Sequence, residues 1–158
     1  MKRSNKGLSL IELMVAIAII AIIAAIALPG LLSGKRTSNA TAAFANLKSF
    51  STAMATYIER KDDQSYPENL ENVADYYSHI ENKGGYKYVY DSNKNNYIYY
   101  AYPTGLSIGT KIYFVDESNN IYEATVDNSN FLVPPTINIL AEGENKIEVP
   151  VLNWEKKS

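Results

Sequence analysis

Gly7-Leu8-Ser9-Leu10-Ile11-Glu12 opens a stretch that runs apolar without interruption from Leu13 to Leu28 and meets Pro29. Read as a helix rising ~1.5 Å per residue, positions 8–28 span about 31 Å, the thickness of a bilayer core. Ser9 and Glu12 are the non-apolar members of that span. A carboxylate within hydrocarbon costs about 2.5–3.5 kcal/mol even on lenient insertion scales, so an ionisable residue here marks a functional position that needs a partner.

Upstream stands a short basic segment, Met1-Lys2-Arg3-Ser4-Asn5-Lys6-Gly7. Its three positive charges favour a cytoplasmic N-terminus, and Lys35 and Arg36 beyond the span partly offset that bias. The 158-residue chain then has room for one modest globular head outside the cytoplasm. Residues 8–61 carry a surplus of basic groups, whereas residues 62–158 are strongly acidic. An acidic head does not invite direct binding of nucleic acid phosphates. With no cysteine, the head relies on packing and hydrogen bonds rather than disulfides.

The basic leader, Gly7, the glutamate five residues into a chain that starts at Leu8, and Pro29 closing the apolar run together resemble the N-terminal signature of type IV pilins and of type II secretion pseudopilins. The resemblance covers about twenty-five residues and implies cleavage after Gly7 by a prepilin peptidase and N-methylation of Leu8. Leu8 departs from the phenylalanine usual in the family, yet keeps the apolar character of the site. The resemblance also implies a nonenzymatic subunit that polymerises through its N-terminal helix. Its partners would be further copies of itself, the prepilin peptidase, the inner-membrane pilus assembly machinery, and membrane lipid before assembly. The localisation implied is the bacterial inner membrane, single-pass, then an extracellular pilus or a periplasmic pseudopilus.

In that setting the Leu8 amine of one subunit pairs with the Glu12 carboxylate of a neighbour. The low dielectric that makes either charge costly alone makes the pair attractive. The two residues are also four apart on one helix, so an intrachain pair is the alternative. Pro29 and Gly30 form the expected helix break, either as a kink or as a segment that loosens when subunits enter the filament. Within the family, a minor pilin or a pseudopilin of a secretion or DNA-uptake system is the second reading. From another class, a basic start, an apolar core and Ala25-Ile26-Ala27 also satisfy a signal peptidase rule, which would release a secreted binding domain near Ala27. A plain single-pass anchor leaves Glu12 unexplained.

Past Pro29 the apolar residues Ala40, Ala43, Phe44, Leu47, Phe50, Met54, Tyr57 and Ile58 recur at three- and four-residue spacing, the stripe of an amphipathic helix. The expected organisation is a leader at 1–7, an assembly helix at 8–28, its amphipathic half at 29–61, and a head at 62–158. In the head, Pro67 suits the first turn of a second helix with Leu70, Val73, Ala74, Tyr77 and Ile80 on its stripe, ended by Gly84-Gly85. Tyrosine-rich segments at 86–90, 97–102, 111–115 and 121–126, parted by polar turns, predict a four-stranded antiparallel meander. The stretch from Ile137 to Trp154 adds a strand or covers a sheet edge. The fold class expected is α+β: a long N-terminal helix packed against a small antiparallel sheet.

Catalytic chemistry has no constellation here. His79, the single histidine, stands beside tyrosines on the expected second helix and reads as structural or surface. Asp91-Ser92-Asn93-Lys94-Asn95 begins like a calcium loop, but Asn96 replaces the glycine and Tyr102 falls where the bidentate glutamate belongs. The turn from Asp116 to Asn120 fails at Ile121 in the same way. Neither a metal site nor a cofactor is expected. The acidic calcium loop of secretion-type major pseudopilins is not recognisable, which favours a pilus subunit. Asn39-Ala40-Thr41 matches a glycosylation acceptor by chance, and the thirteen tyrosines read as sheet formers.

Overall fold

The computed structural model describes residues 9–127, 138–139, 147–148 and 153–157. Gly7, Leu8 and most of the stretch from 128 to 152 lie outside them. The fold is α+β, with one long helix, α1 (Leu10–Glu59), followed by a six-stranded antiparallel sheet. The described residues form two units that part between Lys35 and Arg36.

The first unit is the apolar part of α1. From Leu10 to Leu32 its large side chains are exposed, Leu10 at 77% and Ile26 at 76%, and no face of it is polar. A helix apolar all round needs an apolar medium or a partner of the same kind. Over an 18-residue window its mean hydropathy is 2.9, so α1 is long and apolar enough to cross a membrane, by length and composition. The helix runs without interruption across Pro29 and Gly30, where the sequence predicts a break. Pro29 lacks an N–H, so the Ala25 carbonyl loses one ladder bond, a local deficit that the flanking turns of helix carry.

The second unit begins with residues 36–59 of α1 and contains the rest of the described chain. The predicted stripe is the one that packs: Ala40, Ala43, Leu47, Phe50, Met54 and Tyr57 are buried, with Phe44 and Ile58 at the margin. They meet the inner face of the sheet, formed by Tyr86, Tyr88, Tyr97, Tyr99, Ala101, Tyr113, Val115 and Ile121. Burying each such large side chain contributes about 1.5–3 kcal/mol, so the aromatic layer dominates the head's stability.

The strands are β1 (Asn82–Lys83), β2 (Tyr86–Ser92), β3 (Tyr97–Pro103), β4 (Lys111–Asp116), β5 (Ile121–Thr125), β6 (Asn138–Ile139), β7 (Ile147–Glu148) and β8 (Glu155–Lys156). The four predicted strands are β2 to β5, paired in sequence order, with Tyr88 opposite Ala101, Tyr100 opposite Phe114 and Tyr113 opposite Glu123. Because side chains alternate, the other face carries Ile98, Tyr100, Ile112, Phe114 and Ala124. These too are buried, so both faces of the central strands are dry. Two-residue strands, β1 and β8, flank the meander, and β6 pairs with β7 apart from it.

Residues 67–80 depart from the prediction. In place of a second helix there is a single 3₁₀ turn, Leu70–Val73, without a side-chain cap at Asn69. Tyr76 and Tyr77 are adjacent, and both are drawn inward, Tyr76 to Tyr57 and Tyr77 edge-on to Phe50 at 5.1 Å. A helix would set neighbours about 100° apart, so tertiary anchoring overrides the periodic pattern and leaves Ile80 exposed. Gly84 and Gly85 do not end a helix. With φ of 62° and 77° they form the two-residue turn joining β1 to β2, the left-handed pair that matches hairpin twist.

The C-terminal segment covers a sheet edge. Asp116 to Asn120 closes the β4–β5 hairpin, and β8 pairs beside β5 with Tyr122 opposite Lys156. Lys157 donates its backbone N–H to the Ile121 carbonyl at 2.8 Å, and Trp154 packs edge-on against Phe114. The Ser51 hydroxyl donates to Asn119 Oδ1 at 2.8 Å, tying α1 to the β4–β5 turn.

Candidate assembly site at the start of the helix

Ser9 precedes the first helical residue, and its carbonyl accepts the Leu13 N–H at 3.2 Å, the first intrahelical bond. The Ser9 backbone N–H in turn donates to Glu12 Oε2 at 2.8 Å. Ser9-Leu10-Ile11-Glu12 thus shows one half of a capping box, the third helical residue reaching back to the capping residue's amide. The carboxylate also stands at the positive end of the helix dipole. The sequence marks Glu12 as a charge that needs a partner, and the structure gives it the Ser9 amide. The signal that finds Ser9 is the S-x-x-E spacing ahead of an apolar run.

Around it, Ile11, Val15, Ala16 and Ile19 line a shallow open groove on one side of α1. Glu12 is the polar edge of an otherwise apolar strip. Gly7 and Leu8, the expected cleavage and methylation positions, are outside the described residues. Pro29 lies inside α1, and a side chain at Gly30 would meet open space.

The remaining candidates from the sequence have structural occupations. His79 Nδ1 is 3.2 Å from the Tyr99 hydroxyl, which is 3.0 Å from that of Tyr77. Partial burial lowers the His79 pKa, and the Glu81 charge partly opposes the shift. Asn39 Nδ2 donates to the Ile108 carbonyl at 3.1 Å, so the amide of the acceptor pattern is engaged within the head. In the β2–β3 turn, Asn93 Oδ1 accepts from the Asn95 and Asn96 amides, and Asp116 Oδ1 accepts from the Ser118 amide. These acceptors serve hairpin turns. Burial pushes the hydroxyls of the inner-face tyrosines up, that of Tyr88 to about 12.

Glu123 is a confined carboxylate with two partners in the head, its side chain 13% exposed. Burial pushes its pKa up, but Lys111 at 2.7 Å and Lys157 at 3.5 Å outweigh that and hold the carboxyl below its usual range. Lys111 lies across from the β5 strand and Lys157 follows β8, so one carboxylate clasps both neighbours of its own strand.

Residues 2–28 match the family model described as the prokaryotic N-terminal methylation motif, which begins in the basic leader and ends where the apolar run ends. Over part of its length the chain is homologous to a type IV major pilin: it is 43% identical over 61 residues to the type IV major pilin protein PilA of Myxococcus xanthus (strain DK1622). That alignment takes in 39% of this chain and 28% of the relative, so the chain spans less than a third of the relative's length. No solved structure matches the chain.

Proposed function

We propose that this chain is a type IV prepilin, a structural subunit that is cleaved after Gly7, N-methylated on Leu8, and polymerised through α1 into a filament. The observation that carries the reading is the coincidence of the methylation motif at 2–28 with the first part of α1, Leu10 to Leu32, which is apolar on every side except at Glu12. Such a helix is suited first to lipid and then to other copies of itself, because both media bury the same surface.

Before assembly the subunit sits in the inner membrane with its N-terminus in the cytoplasm and its acidic head outside. A prepilin peptidase exposes the Leu8 amine. Methylation leaves that amine positively charged, and it docks on the Glu12 carboxylate of a neighbour while the apolar strip supplies cohesion. Pro29 and Gly30 are where the helix loosens as subunits crowd together, since one ladder bond is already missing and glycine holds helix weakly. The chain acts by assembly rather than catalysis.

The test is filament recovery from cells that contain the pilus assembly machinery. Wild-type chain should appear in sheared surface filaments, and Glu12→Ala should be processed and inserted but absent from them. Abundant filaments built from Glu12→Ala would overturn the charge-docking mechanism.

A further inference from the structure

Between Tyr77 and Glu81 the chain crosses the head without regular structure, and its side chains alternate: Tyr77 is buried, Ser78 exposed, His79 half-buried and Ile80 exposed. At one end the Tyr77 N–H donates to the Val73 carbonyl, and at the other the Glu81 carbonyl accepts the Tyr88 N–H of β2 at 2.9 Å. Among the described residues no backbone hydrogen bond involves Ser78, His79 or Ile80. A side chain fastens the middle of this strap: His79 Nδ1 lies 3.2 Å from the Tyr99 hydroxyl of β3, and the two rings meet edge-on with centroids 6.0 Å apart. The Tyr99 hydroxyl is in turn 3.0 Å from that of Tyr77.

Both hydroxyls and the ring nitrogen are satisfied when His79 is neutral with its proton on Nε2: Tyr77 donates to Tyr99, and Tyr99 donates to Nδ1. A proton on Nδ1 turns that terminal acceptor into a donor, reverses both bonds, and leaves the Tyr77 hydroxyl proton in need of an acceptor. Acceptors are already scarce there, since the Asn46 amide nitrogen of α1 stands among the hydroxyls of Tyr77, Tyr88 and Tyr99 and is buried without one. Among the described residues, the charge that bears on the ring is that of Glu81 on the same strap. Tyr99 of β3 and Tyr88 of β2, stacked on it, present neutral hydroxyls, and α1 presents Asn46 and the Phe50 ring. Partial burial outweighs Glu81 and lowers the His79 pKa.

We propose that His79 is a pH-sensitive latch: neutral, its Nδ1 accepts the Tyr99 hydroxyl proton and holds residues 78–81 against β3; protonated, it lets go, and the lifted strap uncovers the edge of β2 at Tyr88. The lifted ring takes up a proton more readily than the docked one. The closed form is therefore fully favoured above the ordinary histidine value of 6.5 and loses ground as the pH falls from there toward the lowered docked value.

The untagged full chain contains one histidine, so its ring nitrogens can be followed by NMR in detergent micelles without ambiguity. The neutral ring should carry its proton on Nε2, and its titration midpoint should lie below 6.5. The exchange protection factor of the Tyr88 amide, corrected for the intrinsic effect of pH, should fall severalfold between about pH 7.5 and about pH 5, while that of Tyr100 at the centre of the sheet holds. In His79→Gln, which stays neutral, Tyr88 protection should be the same at both. A neutral ring protonated on Nδ1, a midpoint at or above 6.5, or Tyr88 protection unchanged by acid in the wild type would each overturn the proposal. So would an equal acid loss in His79→Gln, or a loss at Tyr100 as large as at Tyr88, because the response would then come from another group or from the whole head.

Discussion

The Phe50 ring of α1 stacks on the Tyr99 ring of β3 with centroids 4.0 Å apart, and Tyr77, Tyr90 and Tyr97 close around Phe50 edge-on. This is where the amphipathic half of the helix is fastened to the sheet, and Phe50 is fully buried. Aromatic pairs of this geometry add about 0.5–1.5 kcal/mol each beyond their buried area. Phe50→Ala should therefore destabilise the head by about 3–5 kcal/mol, and Phe50→Leu by less. Urea unfolding of the detergent-solubilised chain, followed by tyrosine fluorescence, reads the difference. A loss below about 1 kcal/mol for Phe50→Ala would show that the cluster does not hold helix to sheet.

Gly85 should resist substitution while Gly105 tolerates it. At Gly85 the backbone is left-handed, and a Cβ would stand 2.5 Å from Ile108 Cγ2. At Gly105 the nearest atom to a Cβ is 3.8 Å away. Gly85→Ala should cost about 1–3 kcal/mol, from strain at the turn and overpacking against Ile108. Gly105→Ala should change stability by less than about 0.5 kcal/mol. Comparison of their thermal midpoints checks the hairpin assignment at β1–β2.

Much of this arrangement is legible in the sequence, for reasons specific to each element. The spacing from Ala40 to Ile58 names the buried stripe of α1, and the alternation in Tyr86-Lys87-Tyr88-Val89-Tyr90 and Tyr97-Ile98-Tyr99 names the inner face of the sheet. Both patterns are local and repeat several times. The predicted second helix does not form: Gly84-Gly85 suits a helix stop and a hairpin turn equally, and Tyr76 and Tyr77 reaching α1, a nonlocal event, decide between them. The strand β8 has no pattern of its own. Its place is fixed by contacts with residues some thirty positions upstream, among them the Ile121 carbonyl, Phe114 and the Glu123 carboxylate. At the candidate site the charge of Glu12 is legible, while its hydrogen bond runs to a backbone amide, which side-chain chemistry does not advertise.

Glu123 should be worth more to the C-terminal strand than to the meander. Its carboxylate meets Lys111 and Lys157, and Lys157 continues from β8. Glu123→Gln should raise the hydrogen exchange rate of the Lys157 amide severalfold while β3 and β4 amides stay protected. The carboxyl is held below its usual value of 4.5, so its contribution is present above that pH and is lost as the pH falls through the lowered folded value. Wild-type stability should therefore decline below about pH 4.5 more steeply than that of Glu123→Gln. Parallel acid profiles for the two proteins would show that the clasp does not stabilise the fold.

Alkali should unfold the head cooperatively. The hydroxyls of Tyr86, Tyr88, Tyr90, Tyr97, Tyr99, Tyr100 and Tyr113 are all raised above the ordinary value of 10.0, chiefly by burial. A raised folded pKa means that stability is whole below the unfolded value and falls as pH rises past it, because the unfolded chain ionises first. The bulk of the tyrosinate absorbance should appear in one steep step, as the sheet opens and the buried rings ionise together. A single smooth titration with the fold intact would contradict the dry aromatic layer.

Processing of the N-terminus is tested most directly by the intact mass and N-terminal sequence of the membrane-associated protein from cells containing a prepilin peptidase. A mature chain beginning with methylated Leu8, with residues 1–7 removed, is the result predicted. A chain beginning near Leu28, released from the membrane by signal peptidase, would contradict it and discard the assembly mechanism along with it.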